Sequence, residues 1–455
     1  MIKDYNVNPI KTDPTLLRAA GDILINKLYL ITKNQEFIDI QNQVLSINVY
    51  EDLFASFITG NVVIQDPLSM ISNMPIIGEE FLDLNFCTPG MDIEKDSIKG
   101  KFSIYKISDY EYLQNRVVGY TIHFVSSEAI LDLNIKISKS FNKRFISDIA
   151  SEILCQYSIT QNNGQEPTPE QRARFNIEET QNGHTYVSNF WSPVKNLNYL
   201  AEHAMSKQRT TDTGKMTDGS PTYLFFENRN GLNFISLESL YIGKSKRTFT
   251  YNDFNRDFKS DGSSVRNIEK DYSNVIVFKM PEAFNYMDKI RGGAYSSNLF
   301  SYNLTTKVYK SNPFNYLEKY DTSARLNEFS PASKKVINSK ESCYVSLTKS
   351  NALFSNSLND ISNSKILQKR MSILSLSNSI RIQITVYGRT DYTVGQVVTI
   401  DINKEQPTYK SDTNTKDEIL SGNYIISSIR HYIDRTYHEC VMELIKDSMI
   451  IDMNG

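Results

Sequence analysis

Cysteine is scarce and scattered. The 455 residues hold four, Cys87, Cys155, Cys343 and Cys440, with no C-x-x-C pair among them. Neither a zinc cage nor a disulfide framework is indicated, and the four read as small buried hydrophobes. No apolar run reaches the roughly 18 residues that a membrane-spanning helix needs. Residues 1–14 lack the basic-then-apolar order of a signal peptide. The expectation is a soluble chain made in a reducing cytoplasm. Positive charge is not in excess either. Lys and Arg number 50 against 52 Asp and Glu, a formal net charge of −2. A chain built to grip nucleic acid would be basic. There is no phosphate loop, dinucleotide glycine fingerprint, G-x-S-x-G elbow or H-E-x-x-H helix. Glu79 and Glu80 are adjacent on a predicted strand and point to opposite faces, so they cannot pair as a glycosidase acid and base. They read as ordinary solvated charge.

What the chain does have is aromatic residues and a repeat. Tyr (27) and Phe (23) bring the aromatics to 11% with a single Trp, a load that strands and interfaces favour. The length predicts about two to four domains. Residues 395–447 follow the plan of residues 78–126. Each begins with a glycine, Gly395 or Gly78, that opens a strand. After a polar loop, a second glycine, Gly422 or Gly100, opens a long hairpin. Counted from Gly100, the apolar positions are Phe102, Ile104, Ile107 and Tyr110. Counted from Gly422, they are Tyr424, Ile426, Ile429 and Tyr432. Unrelated glycine-led hairpins share such a pattern loosely, but four equal offsets favour one unit used twice.

Taken in order, residues 1–20 read as a polar arm. Short strands follow around Ile38 and over 44–49. After an acidic turn at Glu51-Asp52 comes a strand over 56–64, where Gly60 predicts a bulge or bend. With the Gly78 strand and Gly100 hairpin these make a small, mostly antiparallel barrel. The period then changes. Phe145, Ile149 and Ile153 predict a helix over 143–156. Ser192-Pro193 reads as the cap and first residue of another. Residues 223–237 form the clearest hairpin, with a primed turn at Asn230-Gly231. Residues 272–279 and 299–309 alternate like strands, whereas 311–360 are rich in Ser and Asn without a period. Helical spacing returns over 365–376, strict alternation over 380–387, and a long charged loop spans 404–418.

Two clusters remain as candidate sites. If the last hairpin turns at Asp434-Arg435, His431 and His438 face each other and are placed to hold a metal shared with another subunit. Two imidazoles fall short of the three or four ligands usual for zinc, so two exposed polar residues is the preferred reading. Lys244-Ser245-Lys246-Arg247 suits a phosphate, but at this net charge a solvated loop is preferred. No catalytic, cofactor-binding or metal-binding residue is assigned.

The order of these parts resembles a known family. A barrel precedes a helical insertion with S-P-x-x-x-L-x-x-L-A over 192–201. The F-F-E-N-R-x-G hairpin over 225–231 and a second barrel with S-G-x-Y-x-I over 421–426 follow. This is similar to the baseplate hub protein of contractile-tailed bacteriophages, whose fold also forms the base of VgrG-type spikes and contractile injection particles. The resemblance spans roughly residues 22–447 and rests on order and pattern. It implies an α+β, mainly β fold with two similar tube-type antiparallel barrels, over 21–128 and 365–455, after an arm over 1–20. An α+β insertion over 129–246 lies between them. A second, Asn/Ser-rich insertion over 247–364 has strands free to pair with either barrel, and it is longer than the resemblance explains. The implied function is structural and non-enzymatic: a homotrimer whose six barrels form a ring in the virion tail, joining tube to spike and letting DNA or other cargo pass. Implied partners are the central spike protein, the tail tube or tube-initiator protein, inner baseplate proteins and the tape measure protein. No sequence-specific nucleic acid binding is implied. A receptor- or carbohydrate-binding tail-fibre module is the alternative, favoured by the aromatic load and the Asn/Ser-rich middle.

Overall fold

Strands are the commonest element of the computed structural model, which describes residues 17–67, 71, 76–113, 117–181, 183–208, 219–251, 257–258, 264–265, 267–302, 307, 309–320, 323–332, 345–349, 362–404, 416–435 and 437–452. The expected arm, apart from its last residues, lies outside these, as do Cys343 and most of the 404–418 loop. The class is α+β, mainly β. The first unit comprises β1 (Leu24–Ile31), β2 (Phe37–Asp39), β3 (Val44–Asp52), β4 (Thr59–Asp66), β5 (Phe81–Cys87), β6 (Ile98–Tyr112) and β7 (Val118–Ser126). Their spatial order is β3-β4-β7-β6-β5-β1-β2, antiparallel throughout. Strict alternation along β7 turns Tyr120, Ile122 and Phe124 inward, onto Val62, Leu82, Leu84 and Ile104. Removing that apolar area from water is what holds the curled sheet together.

Two expectations here need correction. Gly60 is not a bulge: it pairs in step with Val49 and Phe124, and the register break falls between Val44 and Ser46 of β3. The glycine is needed for space, because a Cβ there would overlap the Phe124 ring and the Asn48 carbonyl. Glu51-Asp52 is not a solvent turn. Both residues end β3, and Glu51 is 1% exposed.

The insertion contains β8 (Ile137–Phe145), β9 (Phe175–Ile177), β10 (Gly183–Trp191), β11 (Tyr223–Asn228) and β12 (Gly231–Ser236). The helix predicted from residue 143 starts later, as Ile146–Gln161, because β8 runs through Phe145 and pairs with β10. Helix Pro193–His203 is capped as predicted, the Ser192 side chain accepting from the Lys195 N–H. Ile149, Ile153, Leu197 and Leu200 of the two helices share a core with Phe225 and Phe234. The predicted hairpin forms, but Asn228 pairs with Gly231, so its turn is one residue earlier than the Asn-Gly motif suggests. Gly231 has φ 130°, and a Cβ would strike the Arg174 carbonyl.

The remaining strands are β13 (Thr248–Tyr251), β14 (Asp257–Phe258), β15 (Ser264–Val265), β16 (Val275–Ala283), β17 (Ser296–Tyr302), β18 (Tyr309–Asn315), β19 (Val345–Lys349), β20 (Ile380–Tyr387), β21 (Val397–Ile402), β22 (Gly422–Asp434) and β23 (Tyr437–Lys446). β18-β17-β19 is a separate sheet. It lies beside helix Ser362–Ser377, whose Leu376 packs with Tyr295 and Tyr316. The second unit is β16-β20-β23-β22-β21-β13. A bridge between Thr250 and Asn274 brings β13 back beside the start of β16. Ile382, Ile384, Val398, Tyr424, Ile426, Met442 and Leu444 fill its centre.

The two units match in detail. β5–β6–β7 and β21–β22–β23 are both antiparallel, with the long strand in the middle. β6 breaks register against β7 between Ile104 and Lys106, and β22 breaks against β23 between Ile426 and Ser428. The breaks sit at one offset from Gly100 and Gly422. A bulge reverses which face a strand buries. That is why the apolar positions run two, four and then seven residues after each glycine. The six-strand orders also correspond, β3 standing where β16 stands, although β13 meets β21 in parallel. The units do not form separate sheets. β22 pairs with β21 over residues 422–425 and, past its bulge, with β3 from Ser428–Asp52 to Asp434–Ser46. One 13-stranded sheet results.

Candidate functional site

The seam between the units is where buried polar groups gather, and the β11–β12 hairpin plugs into it. Glu227 Oε2 accepts from the Ile58 N–H at 3.1 Å and Oε1 from Ser126 Oγ at 2.9 Å, both in the first unit. The next turn residue, Arg229, donates its N–H to Glu51 Oε1 at 3.2 Å. Glu51 Oε2 accepts from Thr393 Oγ1 and from the Val394 N–H of the second unit. Asn228 Nδ2 reaches the Val394 carbonyl at 3.4 Å. Residues 227–229 therefore touch both units at once.

The charges are costly here. Burial pushes the Glu51 carboxyl up, opposed by its Thr393 and Val394 donors. Burial, with the neighbouring Glu128 charge, pushes Glu227 up to about 8. Ser126 Oγ lies 2.8 Å from Glu128 Oε2 and 2.9 Å from Glu227 Oε1. One hydroxyl proton cannot serve two carboxylates, and Arg174 stands beside both acids, 3.4 Å from Glu128 Oε1 and 3.8 Å from Glu227 Oε1. Glu51 and Glu227 both use each carboxylate oxygen on groups of this protein, which makes the seam a lock.

The sequence candidates fall differently from expectation. His431 and His438 are not exposed; both are 0% accessible. The hairpin pairs Asp434 with Tyr437, one step further on than expected, so His431 lies opposite Cys440 and His438 opposite Ile433. The imidazoles still meet, diagonally, Nδ1 of His431 standing 3.1 Å from Nε2 of His438. Glu80 is not solvated either. Its Oε2 accepts the N–H groups of Ile77, Gly78 and Glu79 and fixes the turn before β5. Glu79 is exposed and pairs with Lys33. The basic cluster is partly tied down, Lys246 to Asp391 at 3.2 Å and Arg247 to Glu269 at 3.0 Å. Cys87, Cys155 and Cys440 are buried free thiols.

Sequence reasoning missed Glu51, Glu227 and the part played by Cys440. The available signal was an acid inside a run that the strand buries at every position, Phe225-Phe226-Glu227-Asn228. No helix among the described residues is long and apolar enough to cross a membrane.

No protein-family model and no curated protein sequence matches the chain. Solved structures do. The tail protein from Neisseria meningitidis MC58 aligns with TM-score 0.52 at 8% identity, over 92% of this chain and 96% of that one. The 43 kDa tail protein of prophage MuSo2 from Shewanella oneidensis aligns with TM-score 0.50 at 11% identity, over 94% and 100%. A Francisella PdpA–VgrG complex aligns with TM-score 0.42 at 11% identity, over 94% and 58%. Nearly end to end, and at identities where only fold is shared, the chain has the fold of the two tail proteins.

Proposed function

We propose that the protein is the structural hub of a phage tail baseplate, a homotrimeric ring between tail tube and central spike, without enzymatic activity. One observation carries the reading: a junction filled inside the chain has a counterpart left open. Past its bulge, β22 is flanked by β23 and by β3. Past its own bulge, β6 is flanked by β7, and no described strand pairs with its other side beyond Ile104. The strand standing where β3 stands is β16, the end strand of the sheet. Its Ile276 and Met280 are 41% and 47% exposed. Tyr105 and Tyr112 on the open part of β6 are 51% and 81% exposed. A second copy docking β16 against β6 repeats the β22–β3 contact between subunits.

Such a contact is heterologous, and heterologous contacts close into rings or grow into filaments. Three copies, each with two units, give a ring of six similar units, the geometry needed between a six-fold tube and a three-fold spike. The spike, tube, inner baseplate and tape measure proteins are the implied partners, the virion tail is the location, and the central hole is the path for cargo. Four parts build each subunit: two barrels, the insertion over 129–246 and a second over 247–364 that lends β13 and β16 to the second barrel. The fold shared with phage tail proteins supports the reading. Light-scattering mass and negative-stain images of the full chain test it. A trimeric ring is expected, and Met280→Asp and Tyr112→Asp should each give a monomer with unchanged circular dichroism. An elongated fibre, or a trimer indifferent to both substitutions, would overturn it.

A further inference from the structure

His431, His438 and Cys440 meet in the interior of the seam with their ligand atoms converging. His431 Nδ1 to His438 Nε2 is 3.1 Å, Cys440 Sγ to His431 Nδ1 is 3.3 Å, and Cys440 Sγ to His438 Nε2 is 3.6 Å. All three residues are 0% exposed. A tetrahedral zinc ion with the usual Zn–N and Zn–S bonds sets its nitrogens about 3.3 Å apart and nitrogen from sulfur about 3.6 Å. The three separations are therefore close to those of one face of such a tetrahedron.

The surroundings suit ligands. Burial pushes the Cys440 thiol well above its ordinary value, opposed by the Arg389 backbone N–H, which lies against the sulfur and favours thiolate. Nδ1 of His438 is buried without a hydrogen-bond partner. Both imidazoles turn one nitrogen into the cluster, and Nε2 of His431 is left without a partner as well. Neighbouring residues make room for the rings. A Cβ on Gly388 would overlap His438, and Phe86 of the first unit meets the same ring edge-on at 6.3 Å. Thr88 and Thr390 exchange backbone-to-hydroxyl bonds close by.

We propose that His431 Nδ1, His438 Nε2 and Cys440 Sγ bind one zinc ion that pins β22 and β23 at the seam between the two units. A thiolate with two imidazoles matches zinc's preference for nitrogen and sulfur ligands. Binding displaces the Cys440 thiol proton and leaves both imidazoles neutral, so the site gains one negative charge from the protein and two positive from the ion. The role is structural, because all three residues are fully buried.

The test is elemental analysis of the full chain, purified with neither chelator nor polyhistidine tag, for zinc, copper, iron and nickel together. About one zinc per chain is expected after gel filtration. Cys440→Ser and His438→Gln should each lower bound zinc at least about tenfold, while His123→Gln keeps it. Because either site variant risks misfolding, the wild-type chain is also refolded with cobalt. A thiolate-to-cobalt absorption band with tetrahedral visible bands supports the site. Metal-free wild type with no cobalt band would overturn it, and stoichiometric copper or iron would overturn zinc as the ion.

Discussion

Thr393 Oγ1 donates a 2.5 Å hydrogen bond to Glu51 Oε2 across 342 residues of sequence. The same carboxylate takes the Val394 and Arg229 N–H groups, so it ties both units to the insertion. Glu51→Ala leaves those donors buried and unpaired, at about 1–3 kcal/mol for a group left so. Glu51→Gln keeps an acceptor oxygen and avoids burying charge. Urea unfolding should rank wild type and Gln close together and Ala well below both. An Ala variant with the wild-type midpoint would remove Glu51 from the lock.

Glu227 predicts a pH dependence. Its folded carboxyl is raised to about 8, above the ordinary carboxylate value of about 4.3. Between those limits the folded state holds a proton that the unfolded state has released. Stability from this group is therefore highest at low pH and falls as pH rises through that window. Glu227→Gln removes the ionisation and retains an acceptor for Ile58 or Ser126. Thermal midpoints taken from pH 5 to 8 should fall less in the variant than in wild type. A parallel fall in both would show that Glu227 does not titrate there.

Much of the fold was legible because local rules wrote it. The two-four-seven spacing after Gly100 and Gly422 records a bulge directly. Ser192-Pro193 caps its helix because the hydroxyl reaches the Lys195 N–H. The β22–β3 pairing was not legible, since no local pattern says which distant edge a strand will meet. The last hairpin shows a smaller failure. With no glycine or asparagine over 434–437, nothing marked the turn, and the predicted register fell one step short. The histidines were placed outside because polar residues usually are. Their burial depends on Cys440, on each other and on the space at Gly388, none of which is visible from either histidine alone.

That space gives a third prediction. Gly388→Ala puts a methyl group where the His438 ring lies, and the ring is enclosed by Phe86 and Cys440. Overpacking of this kind costs about 1–3 kcal/mol. Denaturation of Gly388→Ala should show that loss, and Gly388→Ala with His438→Ala should recover part of it. Equal stability of Gly388→Ala and wild type would mean the ring moves freely.

The last prediction concerns β22, which the structure places inside the sheet. Ile429 pairs with Met442 of β23 on one side and with Glu51 of β3 on the other. A strand with neighbours on both sides uses its N–H whichever way it points, so proline at this position removes a ladder bond and leaves an acceptor bare. The Ile429 side chain also belongs to the second core, and Ile433, four residues on, belongs to the first. Ile429→Pro should therefore destabilise both units together by about 3 kcal/mol or more, combining the lost bond, the unpaired acceptor and the lost packing. An end strand behaves otherwise: β16 already carries Pro281. Near-ultraviolet circular dichroism during urea unfolding reads the outcome. The tyrosine signals of the two units should be lost in one early transition. A folded variant that has merely stopped assembling would place β22 at an edge after all and undo the assignment of β6 and β16 as the joining strands.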